Sequence, residues 1–279
     1  MPLNQTQIDA LIEAVRNTAK QEVVPRFRAP KGVSQDAKAH VFDLVTEADL
    51  QCERVLSQRI ADILPGAVVV GEEAVEENAG LLDAVAVAET CVVVDPVDGT
   101  WNFASGLPIF GLMLAVLERG ETVFGLLYDV MTDTWVAAEK GAGTHLCRAG
   151  QDTMALKLGQ SHDKPLSGFF APYEFPQESH ATVLGLMLEF GHVTSLRCSC
   201  HEYLTLLQGH TDFTVAAHVK PWDHLAGVLA ISEAGGRSGL IGQGEFTPAK
   251  SKGRLLNVAD PARFDEIEAL FVKRLGAWL

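Results

Sequence analysis

The chain has 279 residues, a hydrophobic fraction of 47% and a net charge of −14. That apolar content can fill a full core, so disorder is not the default state. The acidic balance disfavours nucleic acids and anionic membranes as partners, because like charges repel. An acidic protein that handles an anionic substrate needs local positive charge, and bound divalent cations can supply it.

The start of the chain lacks the pattern of a signal peptide. Its first twenty residues carry polar and charged side chains where a continuous apolar stretch is needed. No run of about 18 apolar residues follows, which is the length that a membrane-spanning helix needs. We therefore expect a cytoplasmic protein.

The five cysteines, at positions 52, 91, 147, 198 and 200, form neither an even framework nor C-x-x-C pairs. Reduced thiols are therefore expected. The segment Cys198-Ser199-Cys200-His201 has no second pair of ligands downstream, and its spacing fits no usual zinc site. We interpret these two cysteines as buried structural residues.

Two helices are predicted at the start of the chain. Apolar residues at helical spacing indicate the first helix within residues 4 to 28, with Pro25 as its terminator. The second helix begins near Thr46, where T-E-A-D supplies an N-cap and first-turn acids, and it ends near Leu64.

Five strands are predicted next. Apolar, β-branched runs at 67 to 70 and 91 to 94 indicate buried strands, and acids follow each run directly. Two strand ends would thus deliver carboxylates to one edge of a sheet. An antiparallel meander is then predicted from three further strands, at residues 109 to 118, 122 to 128 and 134 to 138.

The sequence becomes more polar and richer in loop signals after about residue 150, which indicates two parts, residues 1–150 and residues 151–279. The first part carries most of the candidate metal ligands, and the second is a smaller α/β part. In the second part we predict one strand, at 212 to 216, and four helices, at 178 to 191, 199 to 209, 222 to 234 and 261 to 275.

The densest chemical signal is the segment D-P-V-D-G-T, which begins at Asp95. Asp95 and Asp98 follow a buried strand and can converge on one cation, while Gly99 permits close approach of the backbone. Burying two such acids is costly unless a cation or hydrogen-bond donors compensate. Glu72 and Asp223 can complete the cage, and oxygen-only ligands suit Mg²⁺ in two-metal phosphoryl chemistry.

Several short motifs recur in a fixed order along the chain: D-L-V-T-E-A-D at 43–49, G-E-E-A at 71–74, D-P-V-D-G-T at 95–100, G-L-P-I-F at 106–110, V-A-A-E-K-G-A-G at 136–143, and P-W-D-H-L-A-G with E-A-G-G at 221–236. Their order and spacing resemble the inositol monophosphatase family of magnesium-dependent, lithium-sensitive phosphatases. The resemblance extends from about residue 5 to residue 240. It implies an α+β fold, a layered αβαβα sandwich of the inositol monophosphatase and fructose-1,6-bisphosphatase type.

The resemblance also implies a small phosphorylated metabolite as substrate, two or three Mg²⁺ ions and a homodimer. We expect the apolar stretch from Leu107 to Leu117 to contribute to the dimer contact. The implied ligands of the first metal are Glu72, Asp95 and the carbonyl of Val97, and those of the second are Asp95, Asp98 and Asp223.

Further roles are implied at matching positions. Glu73 corresponds to a family glutamate that lies near the metals and binds through water. Asp49 and Thr100 correspond to the pair that orients the attacking water. The backbone amides of Gly99 and Thr100 would hold the phosphate, and Asp223 would also contact the substrate.

Simpler interpretations stand beside some of these roles. Asp223 could be a plain N-cap of its helix, and Asp49 could only complement a helix dipole. Lys38 matches a lysine near the family's metal loops, but an isolated lysine usually faces solvent. For His224, solvent exposure is preferred over a substrate contact as the interpretation. Solvent exposure is also the preferred interpretation for Glu76 and Glu77.

The chain departs from the family where the substrate is chosen. Arg197 and its neighbours replace a segment of small residues, and Ala216 stands where inositol-specific members have a glutamate. We therefore expect that myo-inositol 1-phosphate is not the best substrate. The Arg197 guanidinium either faces the pocket, which would favour a second anionic group, or is buried against acids of the protein.

Alternative functions remain within and outside the enzyme class. Histidinol phosphate, a sugar bisphosphate and a 3′-phosphoadenosine nucleotide are alternative substrates, since related enzymes share the metal motifs. A regulatory binding protein of the same fold is the alternative of a different class, and the complete set of metal ligands argues against it.

Overall fold

The computed structural model describes residues 3–29, 35–37, 44–159, 164–249 and 252–278. The helices of these residues are α1 (Gln5–Thr18), α2 (Glu47–Ile63), α3 (Glu72–Glu77), α4 (Asp83–Val87), α5 (Thr100–Ala104), α6 (His180–Met187), α7 (Ser199–Leu207), α8 (Pro221–Glu233) and α9 (Phe264–Leu275). Short turns of 3₁₀-helix and one π-helical turn, at Ala19–Val23, accompany them.

The strands of the described residues are β1 (Gln35–Ala37), β2 (Leu44–Thr46), β3 (Val68–Gly71), β4 (Thr90–Asp98), β5 (Gly111–Glu118), β6 (Glu121–Asp129), β7 (Thr134–Glu139), β8 (Gly143–Arg148), β9 (Met154–Leu156), β10 (Ser167–Phe169), β11 (His192–Thr194), β12 (Phe213–Ala216), β13 (Arg237–Leu240) and β14 (Leu255–Val258). They form a two-stranded pair, a seven-stranded sheet in the order β3 to β9, and a five-stranded sheet in the order β11-β10-β12-β14-β13.

The alternation of side chains along the strands separates two cores. Val92 and Val94 of β4 face the side of the seven-stranded sheet that α1 and α2 cover. Cys91 and Val93 of the same strand face the opposite side, where α7 and α8 pack between the two large sheets. This is the period of two that a strand buried on both faces requires.

A third core completes the layers. Helices α6 and α9 place Leu186, Ile267 and Phe271 against the outer face of the five-stranded sheet, which contributes Phe213 and Val258. From one surface to the other the order is helices, sheet, helices, sheet, helices. The predicted αβαβα sandwich is therefore confirmed.

The predicted elements of the first part agree closely with the structure. The antiparallel meander is present as β5, β6 and β7. Thr46 caps α2 in a capping box with Asp49, as the T-E-A-D segment predicts. Pro25 lies in the 3₁₀ turn Val24–Arg26 that ends the first helical segment.

The second part shows larger differences. Helix α6 ends at Met187, four residues before the predicted end, because the chain turns there into the edge strand β11. The seven-stranded sheet continues to Leu156, and the five-stranded sheet begins at Ser167. The division at residue 150 remains a prediction, since α7 and α8 of the second part pack directly on the first sheet.

The suggestion that Leu107 to Leu117 forms a dimer contact is wrong for most of that stretch. Leu112, Leu114 and Leu117 belong to β5, in the middle of the sheet, and are fully buried within the chain. Leu107 is the exposed leucine of the stretch, at 43%. Among the described helices, none combines the length and the apolar character needed to cross a membrane.

Gly125 of β6 sets how closely α8 approaches the sheet. A Cβ atom at this position would lie 2.8 Å from the carbonyl oxygen of Ala226. Such overpacking costs about 1–3 kcal/mol, so Gly125→Ala should lower the melting temperature by roughly 3–10 °C, measured by thermal unfolding. Gly185→Ala is the control, because that helical glycine has open space around it. An equal effect of both substitutions would contradict the close packing of α8.

Candidate active site

A cavity of about 260 Å³ lies where the carboxyl end of β4 meets the N-termini of α5, α7 and α8. Glu72 borders it from the start of α3. Acids, aromatic rings and backbone from both large sheets form its wall: Glu72, Asp95, Val97, Asp98, Gly99, Thr100, Trp101, Tyr173, Glu174, Ser195, Arg197, Cys198, Ser199, Glu202, Val215, Ala216, Ala217, His218, Asp223 and His224.

Three carboxylates converge at one point of this wall. Asp95, Asp98 and Asp223 each present an oxygen, and these oxygens lie within 4.8 Å of one another. Asp95 is 1% exposed and Asp98 is 8% exposed. Burial and the neighbouring charges of Glu72, Asp98 and Asp223 raise the pKa of Asp95 well above its usual range. A cluster of buried acids with oxygen-only ligands fits a hard divalent cation such as Mg²⁺.

A β-bulge brings the first two of these acids together. Asp95 pairs with Met113 of β5 and Asp98 pairs with Gly111, so two residues of β4 stand opposite one residue of β5. In a regular strand, residues three positions apart point to opposite faces. The extra residue of the bulge changes this alternation, and both carboxylates join one cluster. Pro96 lies inside the bulge, where a residue without an amide donor is tolerated.

Asp223 and Glu72 come from the first turns of two helices. Asp223 is the third residue of α8, whose N-cap is Lys220, so the plain N-cap interpretation of Asp223 is wrong. Glu72 is the first residue of α3. Its Oε1 atom lies 3.5 Å from the Lys220 Nζ atom, which is an ion pair at the edge of the acid cluster.

Asp49 and Thr100 are in contact, as the motif comparison implies. The Thr100 hydroxyl oxygen lies 3.1 Å from Asp49 Oδ1 and 3.0 Å from the carbonyl oxygen of Val97. Its single proton can serve only one of these acceptors at a time. Burial raises the pKa of Asp49 to about 6, although hydrogen bonds from Thr46 favour the ionised form.

Gly99 allows this arrangement to form. It adopts a left-handed conformation with φ of 89° at the start of α5. A Cβ atom there would lie 2.9 Å from the carbonyl oxygen of Ile109 and 3.2 Å from the Cβ of Cys198. Glycine is therefore required by both the backbone conformation and the available space.

Other predicted residues lie outside the wall. Glu73 is buried, and its backbone N–H donates to the Glu53 carboxylate at 2.8 Å, but it is absent from the described lining of the cavity. Lys38 falls outside the described residues. Glu76 and Glu77 are exposed, as predicted.

The two cysteines near the site are buried, as predicted, and they contact Asp98. The Cys198 thiol donates to Asp98 Oδ2 at 3.1 Å, and the backbone N–H of Cys200 donates to the same oxygen. Burial raises the pKa of both thiols well above their usual range. The neutral Cys198 thiol and the backbone N–H of Cys200 are thus the two donors that orient the Asp98 carboxylate beside the start of α7.

The interpretation of His224 as solvent-exposed is wrong. His224 is 2% exposed, because the face of α8 that carries it packs against α7. Its ring nitrogens lie 3.1 Å from the Tyr203 hydroxyl and 2.8 Å from the carbonyl oxygen of His218. Burial lowers the pKa of His224, which favours the neutral ring.

Arg197 lines the cavity, and so does Ala216. The guanidinium carbon of Arg197 lies 3.9 Å from the centroid of the Trp101 ring and 5.5 Å from that of Tyr173. These distances are those of cation–π contacts. Of the two arrangements left open by the sequence, the structure has the one in which this side chain borders the cavity.

Several residues of the wall carried no motif signal. Glu202 Oε1 accepts hydrogen bonds from the Leu196 N–H at 2.8 Å and from the Ser195 hydroxyl at 3.1 Å. Glu174 lies in a 3₁₀ turn, Pro172–Glu174. Both acids are far in sequence from the metal motifs and reach the cavity only through the folding of the second sheet, so spacing alone could not have found them.

The sequence of this chain is similar to those of known proteins along most of its length. The family model described as the inositol monophosphatase family matches residues 4–270. The chain belongs to the inositol monophosphatase family. It is 25% identical over 247 residues to an inositol-1-monophosphatase of Bacillus subtilis, which covers 88% of this chain and 89% of that protein. The chain is also 30% identical over 200 residues to the Nus factor SuhB of Vibrio cholerae, and this match covers 69% of this chain and 70% of that protein.

A solved structure of the family has the same fold. An inositol monophosphatase (IMPase) of Thermotoga maritima superposes with a TM-score of 0.80 over 98% of this chain and 99% of that chain, at 22% sequence identity. At this identity the likeness establishes the fold alone. The family membership rests on the family model.

The acid cluster predicts how a divalent cation affects stability. Saturating Mg²⁺, at about a hundred times its dissociation constant, should add about 2.7 kcal/mol and raise the melting temperature by roughly 5–10 °C. Asp95→Asn removes one of the repelling charges, so in the presence of a chelator its melting temperature should equal or exceed that of the wild type. It should lose most of the Mg²⁺ increment in thermal unfolding.

Asp62→Asn is the matched control, because Asp62 is exposed on α2. This variant should keep the whole Mg²⁺ increment. An Asp95→Asn protein that gains as much stability from Mg²⁺ as the wild type would show that the cation binds elsewhere.

Proposed function

We propose that this chain is a Mg²⁺-dependent hydrolase of small phosphate monoesters. The observation that carries the proposal is the convergence of Asp95, Asp98 and Asp223 within 4.8 Å on the wall of a cavity. Membership of the inositol monophosphatase family supports the same reaction class. The cavity volume of about 260 Å³ suits a small phosphorylated metabolite.

The residues that would hold the ions are Glu72, Asp95 and the Val97 carbonyl for one, and Asp95, Asp98 and Asp223 for the other. When bound, Mg²⁺ supplies positive charge for the phosphate and lowers the pKa of water. Asp95 is the shared ligand in this assignment, and its burial holds the carboxylate in one position. Hydrogen bonds from the Cys198 thiol and the Cys200 backbone N–H hold the Asp98 carboxylate in position.

Asp49 and Thr100 would orient the attacking water. Thr100 lies at the start of α5 and Asp49 in the first turn of α2, and their contact of 3.1 Å joins the two helices. An ionised Asp49 accepts a hydrogen bond from the Thr100 hydroxyl, so that the threonine oxygen can accept a hydrogen bond from water. The backbone amides of Gly99 and Thr100 would donate to the phosphate, and Glu73 would act through water.

A second candidate function is supported by one relative. The similar protein of Vibrio cholerae is called a Nus factor, which suggests a regulatory binding protein. Retention of the buried acid cluster favours the enzyme, because unneutralised buried carboxylates destabilise a fold. Turnover of a phosphate ester that depends on Mg²⁺ would separate the two functions, and gel filtration would test the homodimer that the family suggests.

Activity should require both Mg²⁺ and Asp95. Asp95→Asn should lower kcat/KM by more than about a hundredfold, because the shared carboxylate would position both ions. The measurement is phosphate release from a phosphate monoester, with and without a chelator. Full turnover after chelation, or a normal rate in the variant, would contradict the two-metal assignment, and Asp62→Asn serves again as the control.

Asp49 and Thr100 should act as one unit. Asp49→Asn and Thr100→Ala should each lower kcat more than KM, since both residues are proposed to orient water rather than to bind the substrate. The double variant should be only slightly slower than either single variant, because the second substitution removes nothing that still functions. Additive losses in steady-state kinetics would mean that the two residues have independent roles.

A further inference from the structure

The structure places a second type of carboxyl group in the cavity, away from the metal-binding acids. Glu174 lines the cavity together with Ala216 and Ala217. Burial raises the pKa of Glu174 to about 7, although the backbone N–H of Ala217 and the positive charge of Arg254 favour the ionised carboxylate. The acid therefore lies near the backbone of Ala217, the residue after position 216, although it comes from the 3₁₀ turn Pro172–Glu174.

This position matters because of what the sequence lacks there. Ala216 has no polar side chain, and the sequence alone suggests that the wall offers no acceptor to the alcohol part of the ester. Glu174 supplies one from another element. Asp223 and Glu174 both line the cavity, and the charge of Asp223 contributes to the raised pKa of Glu174.

Glu202, the other acid of this outer wall, is already used by the protein. Its Oε1 atom accepts from Leu196 and Ser195, and Ser195 in turn accepts from the Arg197 N–H at 3.1 Å. These bonds hold the loop before α7. In contrast, no side chain within the described ranges donates a hydrogen bond to Glu174, so its carboxylate can accept one from a ligand.

The described lining of the cavity offers little positive charge to a second anionic group, since Arg254 lies outside that lining and its charge acts on Glu174. Of the described residues that line the cavity, Arg197 is the one with a lysine or arginine side chain. Burial lowers the pKa of His218 and His224, so neither adds a positive charge near neutral pH. Glu174 and Glu202 are further acids of the lining, and burial raises their pKa values to about 7 and about 8, respectively. A neutral alcohol with hydroxyl donors fits this wall better than a bisphosphate.

We propose that Glu174 is a specificity-determining residue that accepts a hydrogen bond from a hydroxyl group of the ester's alcohol part. It takes the place of the acid that is absent at position 216. This inference rests on the proposed phosphatase function and adds a residue that selects the alcohol part of the ester. It also removes the reason, based on Ala216, for expecting poor use of inositol 1-phosphate.

The test uses two esters of the same ring size that differ only in hydroxyl groups, myo-inositol 1-phosphate and cyclohexyl phosphate. The measured quantity is the ratio of their kcat/KM values at one Mg²⁺ concentration. Glu174→Ala should lower this ratio by about tenfold to a hundredfold, mainly through KM, because the hydroxyl loses its hydrogen-bond acceptor. The ratio for Glu174→Gln, which keeps a neutral acceptor, should fall between the ratio of the wild type and that of Glu174→Ala.

Glu178→Ala is the matched control, because Glu178 is exposed in the neighbouring 3₁₀ turn. It should leave the ratio unchanged. A purely structural role of Glu174 would slow both esters equally, so a ratio within twofold of the wild-type value would overturn the inference. A wild-type preference of tenfold or more for an inositol bisphosphate over the monophosphate would also overturn it.

Failure of the proposed function has a different signature. In that case the wild type would hydrolyse neither ester with Mg²⁺, and the inference would fall with it. Turnover of cyclohexyl phosphate that depends on Mg²⁺, together with an unchanged ratio in Glu174→Ala, would overturn only the role of Glu174. Melting temperatures of all variants, compared with the wild type, establish that each is folded.

Discussion

The crowding of buried carboxylates at the end of β4 is the constraint on which the rest of the site depends. Asp95 and Asp98 are almost fully buried, and the charge of Asp223 raises the pKa of both. Such a cluster destabilises the folded chain unless positive charge is added. The fold therefore carries a local cost that a bound divalent cation would remove, and metal binding would then be linked to stability.

The layered fold concentrates the acids by bringing element ends to one place. The bulge in β4 turns two acids to the same side, while α8, seated on the sheet next to Gly125, delivers a third. The short α5 starts at Gly99, where only glycine fits, and this start puts Thr100 beside Asp49. Each of these positions depends on a backbone feature rather than on side-chain chemistry alone.

Much of this could be predicted from the sequence because the signals are local. The capping box at Thr46, the β-branched run before Asp95 and the turn at Gly99 all lie within a few residues of the chemistry that they position. The sequence indicates solvent exposure for His224, because one helix does not reveal which neighbour covers it, and in the structure α7 covers this side chain. The sequence gives no signal for Glu202, because its role depends on contacts with the loop before α7.

Glu174 shows the same limit in a form that bears on specificity. A comparison of matching positions finds alanine at 216 and so a lost acid, whereas in the folded chain the carboxyl group of Glu174 lines the same cavity as that alanine. A binding wall is defined by the atoms that border it, and these can come from any element that reaches it. Arg254 lowers the cost of an acid at this place, since its charge faces Glu174 and its guanidinium also donates to the carbonyl of Ala217. An acceptor can thus move from a strand end to a 3₁₀ turn while the chemistry offered to the substrate is kept.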